Sequence, residues 1–149
     1  MNNSLAKLIA GAWIASAGWA FADESRLLPP VFASITADRQ KIFQQETFTL
    51  TLNIFVRDVN LDRRVDIDNL PPAHQLQIEP FQELPVENKT LGQRVYEVRR
   101  FRCSARAPVA QTLTLKPALQ GKAVRITQSF FFNQREERPV PINLDPLTL

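Results

Sequence analysis

The chain has 149 residues, 44% hydrophobic and 22% charged, with 18 Lys or Arg against 15 Asp or Glu and a formal charge of +3. That composition excludes a disordered charged tail and sets a single globular domain as the expectation. The positive excess is small and interspersed with carboxylates, so it describes a solvated mixed surface and marks no nucleic-acid partner.

Lys7 precedes the run Leu8 to Phe21, apolar apart from Ser16 and short for a membrane span. Ala20 and Ala22 stand where a signal peptidase reads small residues, just before Asp23-Glu24. The expectation is an exported protein of the periplasm or cell envelope, with 1–22 removed as a signal peptide; an uncleaved anchor is the competing reading. Residues 23–30 read as a flexible lead-in ending in Pro29-Pro30. No internal disulfide is available to the lone Cys103, whose apolar surroundings predict a buried, inert thiol.

Eleven Pro against four Gly predicts many strands joined by stiff connections, because Pro lacks the donor that interior strand and helix positions need. A first strand is expected over Val31 to Ala37, with a turn at Asp38 to Lys41 and a short edge piece at Ile42-Phe43. Thr47 to Val56 is the clearest element: Phe48, Leu50, Leu52, Ile54 and Val56 share one parity, the period-2 pattern of a strand with one face on a core. Its other parity, Thr47, Thr49, Thr51, Asn53 and Phe55, reads as an uncharged outer surface open to a partner.

Asp58, Asn60 and Asp62 have the spacing that opens a calcium loop, but Arg63-Arg64 replaces the required Gly and Asn69 the bidentate Glu. Asp58 to Asp68 is therefore read as a solvated connection, with calcium left as an open question. Leu76 and Ile78 define a short third strand. Phe81 to Leu84, bracketed by Pro80 and Pro85, reads as an edge piece, and Glu87 to Gly92 as a turn. The single His74, in a proline-rich loop without a second His or a nucleophile nearby, takes a surface role.

Gln93 to Ala105 is the longest predicted strand. Tyr96 and Val98 are even whereas Phe101, Cys103 and Ala105 are odd, and a bulge at Arg99-Arg100 is expected, since otherwise Glu97 and Arg99 would face inward. Arg94, Arg99, Arg100 and Arg102 form a basic face suited to solvent or to an acidic protein partner. Thr112 to Pro117 is the next strand, Leu119 to Lys122 a hairpin turn, and Ala123 to Asn133 a strand with Val124, Ile126, Phe130 and Phe132 on one face. Phe131 points the other way as an exposed contact. Gln134 to Arg138 reads as a charged turn before a proline-bearing edge strand, Val140 to Leu144.

Together these elements predict an all-β fold, an immunoglobulin-like two-sheet sandwich of seven to nine mostly antiparallel strands over 31–144, with a small barrel as the alternative. Residues 145–149 read as a linker or the start of a next module. No nucleophile–base–acid set or metal cluster is visible, so neither catalysis nor a cofactor is expected.

The order Ala33-Ser34-Ile35-Thr36-Ala37-Asp38-Arg39-Gln40, then Glu46 to Leu52, resembles the opening of the BatD oxygen-tolerance family. Tyr96 to Ala105, Leu113 to Pro117 and Pro139 to Leu149 fit the same order. The resemblance implies a non-enzymatic cell-envelope module of immunoglobulin-like type, acting with von Willebrand A-domain proteins and a MoxR-type ATPase in stress or oxygen tolerance. Typical members carry a C-terminal membrane helix; here the sequence stops where a next module would begin, which leaves membrane anchoring open. A carbohydrate-binding or surface-adhesion sandwich is the alternative function. The candidate partner-binding residues are Arg94, Arg99, Arg100, Arg102, Phe55 and Phe131.

Overall fold

The computed structural model describes residues 28–149. The expected signal peptide and residues 23–27 of the lead-in lie outside the described residues. Strands β1 (Val31–Ala37) and β2 (Thr47–Val56) occupy the ranges their alternation predicts. They run antiparallel, with Val31 opposite Val56 and Ala37 opposite Leu50. Asp38 closes this pair, its carboxylate accepting from the Thr49 N–H at 2.9 Å and its own N–H donating to the Thr49 carbonyl at 3.0 Å. Ile42-Phe43 is not an edge strand: the Phe43 N–H donates to the Glu46 carboxylate, and Gln45 turns the chain at φ 66°.

Three short elements then gather along one strand. The short β4 (Gln77–Ile78) and β5 (Gln82–Glu83), followed by β6 (Glu87–Leu91), pair in succession with β7 (Arg94–Arg106), while β3 (Asp66–Asp68) pairs elsewhere. The stretch expected as a turn at Glu87 to Gly92 is mostly strand. Its reversal is compressed into Gly92-Gln93, where Gly92 takes φ 62°, the conformation a two-residue hairpin loop asks of its first residue.

The remaining strands are β8 (Thr114–Leu115), β9 (Ala118–Gln128), β10 (Asn133–Leu144) and β11 (Leu147–Thr148). Here the expected hairpin is displaced. β9 runs straight through Leu119 to Lys122, and the chain reverses instead at Ser129 to Phe132, so that the expected charged turn Gln134 to Arg138 is strand paired with Ala123 to Thr127. Gly121 serves packing: a Cβ there would lie 2.7 Å from Leu61 Cδ1 and 3.3 Å from Ile142 Cδ1.

The fold is all-β and sandwich-like. A nine-stranded sheet of order β3-β9-β10-β1-β2-β7-β4, with β5 and β6 also on β7, curls upon itself, and β8 and β11 form a second, two-stranded sheet. All pairings are antiparallel except β1 with β10. The strand count exceeds the expected seven to nine because several pieces are only two residues long. Val31, Ala33, Ile35, Leu52, Ile54 and Val56 share one core cluster with Leu61, Leu119, Ile142 and Leu144. Phe48, Leu50, Cys103 and Ala105 form a second with Leu76 and Leu115, against which Leu147 and Leu149 pack. Full burial of an aliphatic side chain contributes about 1.5–3 kcal/mol, and these clusters are what offset the ordering of the strands.

Two expectations are corrected here. β7 has no bulge: its register to β2 is continuous from Thr47 opposite Arg106 to Val56 opposite Glu97. The change of parity arises because the sheet is covered on opposite faces at its two ends. Phe101, Cys103 and Ala105 point to the inner face, whereas Tyr96 and Val98 point outward into a third cluster with Phe55, against which Leu28, Phe32 and Leu91 pack. Arg99 therefore does face inward, opposite Ile54, and its charge is satisfied there: Nη1 donates to the Asp62 carbonyl at 2.7 Å, Nη2 to the Leu61 carbonyl at 2.8 Å and Nε to Glu97 at 2.9 Å. A charge largely withdrawn from water is tolerated when each of its nitrogens finds a partner.

The second correction concerns Asp58 to Asp68, expected as a solvated connection. Leu61 is 2% exposed and bridges Ala123, Asp62 N–H donates to the Lys122 carbonyl at 2.7 Å, and Val124 N–H donates to the Asn60 carbonyl at 2.8 Å. This segment is a strap laid over β9 and clamped from beneath by Arg99.

Candidate interaction surfaces

The outward residues of the β1–β2–β7 layer follow from the register. Phe32, Phe55 and Val98 lie abreast, then Ser34, Asn53 and Arg100, then Thr36, Thr51 and Arg102, with Thr49 beside Ser104 and Thr47 beside Arg106. One end is thus aromatic and the rest is hydroxyl, amide and guanidinium.

The aromatic end is closed. The Phe32 and Phe55 rings stack at 4.6 Å between centroids, Tyr96 meets Phe32 edge-on at 5.5 Å, and the Arg57 guanidinium lies 5.4 Å from the Tyr96 ring centre. Phe55 is 7% exposed and Tyr96 fully buried. Phe55, expected as an exposed contact, is therefore a packing residue, because Phe32 and Tyr96 cover it from both neighbouring strands. Tyr96 likewise offers no ring for sugar stacking.

The arginines divide. Arg99 is internal, as described. Arg100 is partly covered, its Nη2 paired with Glu87 at 2.8 Å. Arg94 is half-buried at the start of β7, opposite Leu91. Arg106 is held by the Gln77 side-chain oxygen through Nε at 3.1 Å and Nη2 at 2.7 Å. Arg102 is exposed between Thr51 and Gln82 and has no ion pair among the described residues. Of the four expected basic contacts, all on β7, Arg94, Arg100 and Arg102 share the parity of the outer face and only Arg102 is fully available.

Phe131 stands apart from them, at the far end of a projecting arm. From Arg125 to Pro139 every residue is exposed. β9 and β10 pair with each other throughout this stretch, and the last backbone tie from β9 to the strap is at Val124. Four further residues carry β9 to Gln128, about 13 Å at roughly 3.3 Å each. At the tip Phe130, Phe131 and Phe132 are 102%, 86% and 75% exposed. The parity argument that assigned Phe130 and Phe132 to a core face fails because the reversal falls on these residues. Three consecutive Phe cannot share one face of a strand, and that was the available signal.

The acidic segment is committed internally. Asp62 pairs with Arg135 at 3.1 Å and Asp58, at φ 57°, with Arg57 at 3.2 Å. Among the described residues no group of three or more His, Cys, Asp or Glu converges as metal ligands do. His74 is exposed in the turn before β4. Cys103 is buried, and desolvation, reinforced by the Glu79 carboxylate, raises its thiol pKa from 9.0 to about 11; a thiol so placed is protonated and poorly nucleophilic at neutral pH.

Compared with known protein families, curated proteins and solved structures, the chain matches none of them.

Proposed function

We propose that this protein is a non-enzymatic interaction module of the cell envelope that binds an acidic surface of a protein partner through the outer face of β7. The observation that carries the reading is Arg102. It stands exposed in a row with Arg100 and Arg106, flanked by the short hydroxyl side chains of Thr51 and Ser104, with its own charge unspent. A guanidinium on a hydroxyl-bearing sheet face suits bidentate pairing with a carboxylate brought by a partner. The resemblance to the BatD family suggests von Willebrand A-domain proteins as that partner and a complex serving stress or oxygen tolerance.

The test is co-purification with a von Willebrand A-domain protein of the same organism. Arg102→Glu is expected to weaken recovery tenfold or more, about 1.4 kcal/mol or above, while leaving the melting temperature unchanged. Recovery of the wild-type protein alone after crosslinking overturns the proposal.

A further inference from the structure

We infer that the β9–β10 arm is a membrane-surface wedge, with Phe130, Phe131 and Phe132 entering the headgroup–acyl boundary of an anionic phospholipid layer and Arg125 and Arg135 meeting phosphates behind them. This goes beyond the protein-partner reading and stands without it.

The layering along the arm carries the inference. Ile126 to Gln134 contains no charged residue, so the aromatic tip is followed on both strands by neutral Thr127, Gln128, Ser129, Asn133 and Gln134. Arg135 comes next on β10, opposite Ile126, and Arg125 one residue further back on β9. Apolar rings at the leading end, neutral polar groups behind and cations at phosphate depth is the order in which a lipid surface is itself layered. From Arg125 to Arg138 the arm carries three cations, Arg125, Arg135 and Arg138, against Glu136 and Glu137, a net 3 − 2 = +1. Arg135 leans on Asp62 and Glu137, whereas Arg125 has no ion pair among the described residues. This balance favours an anionic over a neutral surface.

Part of the backbone at the reversal is paired, which lowers the cost of leaving bulk water. Pairing continues to Gln128 opposite Asn133, the Ser129 N–H donates to the Phe132 carbonyl at 3.0 Å, and the Phe131 N–H reaches the Ser129 hydroxyl at 3.4 Å. Shape argues for lipid against a protein groove. The three successive rings on this reversal all stand in solvent, Phe131 and Phe132 with ring centroids 6.3 Å apart and tilted by 49°. A rigid groove covers one or two rings so arranged, whereas a fluid phase surrounds all three.

The test uses the full chain with Phe131→Cys carrying an environment-sensitive nitrobenzoxadiazole label. Buried Cys103 does not compete for the label under native conditions. Vesicles of equal parts phosphatidylglycerol and phosphatidylcholine are expected to raise and blue-shift the emission and to expose the label to quenchers on the lipid chains. Adding Phe130→Ser and Phe132→Ser lowers the inserted fraction roughly tenfold per ring, about 1.4 kcal/mol each. Arg125→Glu reduces insertion at low salt without changing the melting temperature. A label that stays in water while the chain sediments with vesicles overturns the inference, because the chain is then held by another segment. An equal response on pure phosphatidylcholine overturns the anionic assignment. A response that requires a protein partner and no lipid replaces the wedge with a groove contact.

Discussion

The β2–β7 seam and the β9–β10 ladder each make ten paired positions, yet the seam and the arm at the end of that ladder are held by different things. In the seam, Phe48, Leu50, Leu52 and Ile54 are at most 1% exposed on the inner face, while Phe55, Tyr96 and Val98 are buried on the outer one. In the arm, pairing continues after burial has ended. The difference separates two roles of the backbone ladder: it shapes both regions, but only side-chain burial makes one of them stable. The most apolar exposed stretch of the described chain sits on the region that contributes least to folding.

The sharpest way to break the comparison is to remove a buried side chain from the seam. Leu52→Ala is expected to cost about 2–5 kcal/mol, read as a lowered midpoint in urea unfolding with an unchanged slope. Arg99→Ala comes next, at about 2–3 kcal/mol, because the Leu61 and Asp62 carbonyls lose their donors together. Arg99→Lys should recover only part, lacking the planar fork that reaches both carbonyls. If Arg99→Ala behaves like a surface substitution, the strap is not clamped to the sheet.

Cys103 reports on the same seam through pH. Its folded pKa, about 11, lies above the ordinary 9.0, so the folded state keeps a proton that the unfolded state releases first. The associated stability is present in full below about pH 9 and is lost as pH rises from there through about 11, amounting to about 2–3 kcal/mol. Cys103→Ala should flatten that alkaline limb in a pH series of melts. The smallest expected effect belongs to the arm: Phe131→Ser should change stability by less than about 0.5 kcal/mol. A loss above 1 kcal/mol would mean that the tip is buried in solution and would erase the contrast between the regions.

Where one face of a strand meets the core and the other does not, alternation suffices, and β1 and β2 were legible to the residue. β7 was legible in extent, but its parity change was misread as a bulge. Alternation records that burial switches sides, not whether the chain slips or the cover moves, and Arg99 becomes tolerable inside only through carbonyls distant in sequence. The arm was obscured by local turn chemistry. Gly121 and Lys122 resemble a reversal, yet Gly121 answers to Leu61 arriving from the strap. Ser129 to Phe132 lacks Gly, Pro and Asn, so the one local hint of a reversal was the run of three Phe, which cannot share one face of a strand. Of the candidate contacts, Arg102 and Phe131 were readable as exposed, whereas Phe55 was not readable as covered, because Phe32 and Tyr96 meet it only after three strands align.

The outer border of β7 is hemmed by three separate pieces, β4, β5 and β6, rather than by one long strand. An unbroken edge is a template on which another chain can add itself, and short pieces remove it. Polymerisation by strand addition is thereby discouraged on this side of the molecule, and along the border of β10 on the arm Pro139 and Pro141 interrupt the row of donors in the same sense.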